Sequence, residues 1–344
     1  MPNPLQDDKA MLAIVRDFYA LRLPNTSDYP ANGEALQSAL LTQIVENEVF
    51  ASNPPAKNFQ IQFWKRTISH LEGCGDLEEV DSRIYDVLLA LLSQGNNAPG
   101  QHARGPPPPS FLTHFWRLPG SDELVTTTIL ESRTMIEAGT TGLHTWGASL
   151  ALCQHLQEHP ELVRGKRVLE LGCGSGLLGI VVARLGAEKT ILTDGSQEVL
   201  DRCRDNVQRA QNVPYGSAVR FALLDWTDSL IDDTSRAMAE RVREWDPQIV
   251  LCADVVYAPE IIPPLAETLC TILTSGAVVD SVLLALTVRR HDTFEAFISA
   301  LDSIGLQADV HDLETDLDGD FMCTASETDR SSSVRLLHIP TFGQ

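Results

Sequence analysis

The sequence predicts an α/β fold, a doubly wound parallel sheet behind an N-terminal helical domain, on three observations. From Lys166 onward, short apolar runs alternate with helical segments. A glycine turn at Gly172, Gly174 and Gly176 joins the first run to a helix. Aspartates 194, 225 and 254 then close the next three runs, on one edge of such a sheet.

Taken in order, residues 1–94 read as a helical N-terminal domain. Met11, Ile14, Val15, Phe18 and Leu21 recur at helical spacing, as do Leu36, Leu40, Leu41, Ile44 and Val45. Two further amphipathic segments, Phe59–Leu71 and Val80–Leu92, bring the expected helices to four, enough to cover one another. Residues 95–123 read as a Pro/Gly-rich linker, because four consecutive prolines and nearby Gly and Asn cannot continue a helix. The remaining segment, 124–344, opens on a β-ribbon, with one strand expected at Leu124–Leu130 and its partner at Arg133–Ile136.

Beyond the ribbon, Thr140–Trp146 leads into a helix at 148–156. Strands are expected at 166–171, 189–193, 218–224, 248–253, 281–287 and 334–339, with helices at 177–185, 197–210, 234–244, 261–274 and 292–304. The last strand follows a polar segment with no helix period, so it is expected to pair antiparallel.

Composition narrows the function. The chain of 344 residues carries 26 Lys and Arg against 47 Asp and Glu, a net charge of −21. Such a surface repels nucleic acid and anionic membranes and tolerates basic partners. Seven scattered cysteines with no C-x-x-C pair imply neither a disulfide framework nor a zinc site and fit a reducing compartment. No signal-peptide layout opens the chain, and its longest apolar stretch, near 278–288, is broken by Asp280 and Ser281. A soluble, cytoplasmic protein is expected.

The glycine turn supports two readings. Gly174-x-Gly176-x-x-Gly179 with Asp194 twenty residues on matches a dinucleotide fingerprint, and hence a nicotinamide-dependent oxidoreductase. Glu170 and Gly172 extend the match to E-x-G-x-G-x-G. A carboxylate beside a pyrophosphate is repulsive, whereas beside an ammonium and a sulfonium it attracts by several kcal/mol, an order-of-magnitude Coulomb figure before screening. The charge favours S-adenosylmethionine (SAM).

Asp194, at the end of Thr190-Ile-Leu-Thr-Asp, is placed to accept from a ribose diol, or else to serve the turn into the next helix. Asp225 is placed to accept from an adenine amino group, with Trp226 as an apolar wall. The run Gln248–Tyr257 ends in Ala253, Asp254 and Tyr257 near the topological centre, where open α/β sheets bind ligands.

With these residues in place, ELGCGSG, LTD, LDW and ADVVY in this order resemble the class I SAM-dependent methyltransferases. The D-x-x-Y run from Asp254 to Tyr257 is similar to that of the protein-lysine methyltransferases, and GTTGLHTWGASLAL resembles the elongation factor 2 lysine methyltransferase branch. The resemblance implies a seven-strand Rossmann-like sheet, SAM as cofactor, a protein substrate and a monomer. It implies cofactor contacts at Trp146, Gly172, Cys173, Gly174, Asp194, Trp226 and Ala253, to which the charge of Glu170 and the strand-end position of Asp225 add two more. Asp254 and Tyr257 are the implied catalytic pair, Asp254 capturing and orienting the target lysine. Many members of such families carry Glu or Asp after T-W where this chain has Gly147.

Two other patterns carry no chemistry. Glu314, Asp316, Asp318 and Gly319 form half of a calcium loop, but the twelfth position is Ala325. The nine acidic residues between Asp302 and Asp329, unbroken by Lys or Arg, read as a solvated loop, with a surface that greets a basic substrate as the alternative.

Overall fold

The computed structural model describes residues 4–93, 106–121, 124–137, 139–210, 212–214, 216–313 and 333–340. The chain divides into two compact units, Met1–His114 with Leu130–Thr134, and Phe115–Ile129 with Met135–Gln344.

The first unit holds α1 (Pro4–Tyr19), α2 (Gly33–Leu40), α3 (Glu48–Ser52), α4 (Lys57–Leu71) and α5 (Ser82–Ser93). The four periodic segments are all helical; α3 escaped notice because a five-residue helix has no period to detect. Its start is set by Asn47, whose side chain accepts from Val49 N–H at 2.8 Å. Phe18 is fully buried and meets the rings of Phe59, Phe63 and Trp64, so the core of this unit is aromatic.

A two-stranded ribbon, β1 (Ser110–Arg117) and β2 (Leu124–Glu131), contributes residues to both units. It corrects the sequence reading twice. Ser110–Arg117, expected within the linker, is a strand, and it is this strand that pairs with β2. Arg133–Ile136 forms a bend, with Met135 and Ile136 exposed. Short polar links favour a hairpin, and Pro119-Gly120 after β1 supplies the turn chemistry.

The second unit continues with α6 (Gly147–Glu158), β3 (Arg167–Leu171), α7 (Leu177–Arg184), β4 (Lys189–Asp194), α8 (Gln197–Val207), β5 (Val219–Leu223) and α9 (Asp232–Trp245). It ends with β6 (Ile249–Ala253), α10 (Ile262–Thr274), β7 (Ser281–Thr287), α11 (His291–Ser303), β8 (Asp309–Leu313) and β9 (Val334–Pro340). Seven strands form one sheet in the order β5-β4-β3-β6-β7-β9-β8. The first five are parallel, and β9 runs antiparallel to both β7 and β8, as its polar approach predicts. Strand β8 is the element that sequence patterning missed. Its Asp-Val-His-Asp stretch is exposed throughout, so no buried face writes an alternation into it.

Strand order reverses at the β3–β6 pair, where Glu170 lies opposite Leu251 and Leu171 opposite Cys252. Alternate residues of these strands face opposite layers. Leu169, Leu171, Val250 and Cys252 join the core shared with α9, α10 and α11. Glu170 and Leu192 lie on the other face, beneath Gly179 of α7. Among the described residues no helix is long and apolar enough to cross a membrane, and no group of three His, Cys, Asp or Glu is placed to hold a metal. The half calcium loop, Glu314–Gly319, lies outside the described residues.

Candidate active site

A cavity of about 260 Å³ opens at the C-terminal ends of β3, β4 and β6. All eleven residues singled out in the sequence line it: Trp146, Glu170, Gly172, Cys173, Gly174, Asp194, Asp225, Trp226, Ala253, Asp254 and Tyr257. Parallel strands deliver their C-terminal residues to one edge, so residues far apart in sequence meet there.

The glycines divide into two groups by what surrounds them. Gly172 (φ +71) and Gly174 (φ +52) face the cavity in left-handed backbone conformations that favour glycine. A Cβ on Gly172 would come within 3.0 Å of Val255 and 3.4 Å of Trp226, filling the cradle. Gly176 and Gly179 do not line the cavity. Their added Cβ atoms would meet Cys203 Sγ at 2.7 Å and Leu192 Cδ2 at 2.4 Å, so these two glycines serve helix packing. The G-x-G-x-x-G match is therefore mainly a packing signature in this chain, and the two glycines of the cradle include one outside it.

Glu170 is 2% exposed. Its carboxyl lies against the first turn of α7, a helix whose N-cap, Gly176, has no side chain to offer, and the Gly179 N–H there favours its ionised form. Its Oε2 is buried with no hydrogen-bond partner among the described residues. Burial, and then the charge of Asp194, push this carboxyl well above its ordinary range. Asp194 accepts from Gly174 N–H at 3.3 Å and Ser196 N–H at 3.0 Å. Burial raises its carboxyl too, with those hydrogen bonds opposing the shift. It holds the glycine turn, and capping of α8 falls to the Ser196 side chain.

Asp225 is exposed and caps the short 3-10 helix Trp226–Leu230, accepting from Thr227 N–H at 2.9 Å and Thr227 Oγ1 at 2.8 Å. Trp226 presents its ring to the cavity, and its Nε1 is a second buried atom of the lining without a partner among the described residues. The Cys173 side chain is buried under the turn, with its thiol raised by a contact to Cys203 and by burial. Trp146 stands at the N-terminus of α6, its Nε1 donating to Thr141 O at 3.1 Å. Gly147 begins that helix with no acidic residue in its first turn.

Asp254 differs from its expected state. Its side chain is 2% exposed. Oδ1 accepts from Thr287 N–H at 3.1 Å, and Oδ2 accepts from Thr287 Oγ1 at 3.2 Å and from Arg289 at 2.8 Å. Its backbone is left-handed, with φ of +56. The carboxylate expected to meet a substrate is thus already engaged by residues at the end of β7. Tyr257 is 56% exposed at the mouth, with its hydroxyl raised by partial burial and by the charge of Asp194, so it stays protonated at neutral pH.

Sequence patterning overlooked Arg289, along with Thr140, Thr141 and Gly142, which form a wall of the cavity. Gly142 O lies 3.1 Å from where a Gly174 Cβ would sit, so the threonine-glycine segment closes on the glycine turn. Within the T-T-G-L-H-T-W run, the resemblance assigns a cofactor contact to the tryptophan alone.

The lining contains four carboxylates, Glu170, Asp194, Asp225 and Asp254, and no Lys or Arg. That field suits a ligand bearing positive charge and disfavours a pyrophosphate. The unpartnered Glu170 Oε2, the Gly172 cradle and the Trp226 wall fit SAM, with its ammonium, sulfonium and flat adenine.

Fold and cavity together define a class I SAM-dependent methyltransferase. The chain belongs to the lysine methyltransferase family, whose model matches residues 127–304. It is 31% identical over 291 residues to the protein-lysine N-methyltransferase EFM3 of Chaetomium thermophilum, spanning 81% of this chain and 84% of that one. It is 28% identical over 282 residues to the human protein-lysine N-methyltransferase EEF2KMT, spanning 79% and 78%. A shorter match, 36% over 158 residues, joins it to the zebrafish protein N-lysine methyltransferase METTL21A, covering 45% of this chain and 65% of that one. The protein is accordingly a SAM-dependent protein-lysine N-methyltransferase.

Proposed function

We propose that the chain methylates a lysine of translation elongation factor 2, acting as a cytoplasmic monomer without nucleic-acid partners. Relatives named EFM3 and EEF2KMT match more than three quarters of the chain, and GTTGLHTWGASLAL resembles the same branch. The observation that carries the site's role is a cavity lined by Glu170, Asp194 and Asp225 with no Lys or Arg in its lining, the fourth carboxylate, Asp254, being paired with Arg289.

Glu170 and Asp194 would hold the charged and hydroxyl-bearing parts of the cofactor, with Gly172, Cys173 and Gly174 presenting backbone to it. Trp146, Trp226 and Ala253 would supply apolar walls, and Asp225 an acceptor at the rim. When bound, SAM supplies a methyl group on a sulfonium, activated for transfer to an amine without a metal or a covalent enzyme intermediate.

The protein's share of the work is positioning and exclusion of water. A target lysine must first lose its proton. From an ordinary pKa of ~10.4 this costs about 4.6 kcal/mol at pH 7. Burial and nearby positive charge both lower that cost. Tyr257 stands at the mouth of the cavity with its hydroxyl protonated, placed to donate to or steer the incoming amine. Asp254 contributes through the neighbours that engage it. In the proposed domain layout a helical segment, 1–94, precedes the ribbon, and the transferase chemistry is confined to 124–344.

The test is incubation of the purified protein with labelled SAM and purified elongation factor 2. Label on a lysine of the factor is expected. Label on other proteins of an extract but none on the factor would move the target elsewhere. Titration with SAM and with NADH checks the cofactor, and heat of binding is expected with SAM alone.

A further inference from the structure

The sequence assigns Asp254 to the substrate, but the structure gives its carboxylate to Arg289 and Thr287. Arg289 carries the contact further. Its guanidinium carbon lies 4.8 Å from the ring centroid of Trp146, within cation–π range. Trp146 is fixed on its other sides by Thr141 O, which accepts its Nε1–H, and by the His144 ring standing perpendicular at 5.0 Å. Asp254, Arg289 and Trp146 therefore form a continuous chain of contacts from the end of β6, across the start of the loop after β7, to the wall of the cavity at the head of α6.

We propose that Asp254 and Arg289 are positioning residues that fix the Trp146 wall of the cofactor cavity, rather than groups that meet the target lysine. This inference rests on the SAM reading of that cavity. Two observations and one chemical argument support it. The Asp254 side chain is 2% exposed while that of Arg289 is 35% exposed, so the carboxylate is shielded behind the guanidinium. Its two oxygens already accept three hydrogen bonds, one of them from the Arg289 guanidinium at 2.8 Å, leaving an ammonium to displace a partner already in place. A bare carboxylate beside the amine would also hold it in the charged form, which cannot attack, and pairing with Arg289 removes that penalty. Tyr257, not Asp254, is then the side chain of the D-x-x-Y run that faces the substrate.

The two assignments predict opposite results for cofactor binding. If Asp254 meets the lysine, Asp254→Asn impairs transfer and leaves SAM affinity intact. If it acts through Arg289, then Asp254→Asn and Arg289→Gln each weaken SAM about tenfold, and the double variant is no worse than either single one. Arg289→Lys keeps the charge but not the planar fork and should recover part of the loss. Calorimetry on the full chain measures these affinities, with melting temperatures run alongside. In the cofactor-free protein, Arg289→Gln should also change the Trp146 emission, isolated as the difference from a Trp146→Phe reference.

Unchanged SAM affinity in Arg289→Lys and Arg289→Gln, with unchanged Trp146 emission, overturns the proposal. So does a double variant whose losses add. A wild-type protein that does not bind SAM at all removes the cofactor reading itself, a result distinct from either. Should Arg289→Gln fail to fold, Arg289→Lys and the emission measurement decide the question.

Discussion

Strands β3 and β6 lie side by side and lead into carboxylates at the same sheet edge, yet those carboxylates are in opposite states. Glu170, in β3, is buried with one oxygen unpartnered. Asp254, just after β6, is as deeply buried with both oxygens engaged. A buried polar atom left without a partner costs free energy that a ligand can recover, whereas a saturated one has little left to offer. The β3 end is thus prepared for a ligand and the β6 end for holding shape. Neighbouring carboxylates on one sheet edge cannot be assigned a role from residue type alone.

The sharpest way to break this comparison is at the β6 end. Asp254→Ala should lower methyl transfer about a hundredfold, the scale of a modest misplacement of reacting groups. It should also destabilise the fold by about 3 kcal/mol, the low end for breaking a buried ion pair, because Arg289 keeps some access to water. Transfer assays and denaturant melts check both.

At the β3 end, Glu170→Gln should weaken SAM by roughly tenfold or more, since hydrogen bonds to charged groups are worth about 1.5–3 kcal/mol. The pH dependence has a definite sign. The folded carboxyl titrates above the unfolded value of about 4.3, so its contribution to stability is complete below that value and is lost as pH rises through the raised one. A cationic ligand favours the ionised form, so SAM affinity should increase over the same rise and binding should release a proton. Calorimetry in buffers of different ionisation enthalpy reads the proton directly, and the glutamine variant should abolish it.

Gly172→Ala should cost about 1–2 kcal/mol in strain at φ of +71 and lower SAM affinity about tenfold by narrowing the cradle. The smallest effect is expected for Tyr257→Phe, a loss of about threefold in kcat/KM at a half-exposed hydroxyl, an order-of-magnitude figure for one modest hydrogen bond. Steady-state kinetics distinguishes it from the other three, because SAM binding should not change.

How far the sequence could be read depended on the range of the signal. Buried parallel strands are apolar runs, and a parallel sheet collects their ends, so all eleven chosen residues reached one cavity. Strand β8 was illegible because an exposed edge strand carries no buried face. The ribbon was half legible: β2 has the β-branched residues, while Phe111-Leu-Thr-His-Phe-Trp in β1 adjoins four prolines that suggested a linker. The state of Asp254 was illegible for a deeper reason. Its partners lie thirty-three and thirty-five positions later, and nothing local to the D-x-x-Y run announces that β7 will place Thr287 and Arg289 against it.

The left-handed backbone at Asp254 also limits how this protein can drift. Asparagine and glycine tolerate that geometry, and each is one nucleotide change from an aspartate codon. Alanine, valine and glutamate are equally close in the genetic code but would bring strain to the turn. A lineage released from selection for catalysis should therefore shed the charge at this position while keeping the bend. Asparagine or glycine at 254, above an intact glycine turn, would mark a descendant that has kept the shape of the enzyme and lost its Asp254–Arg289 ion pair.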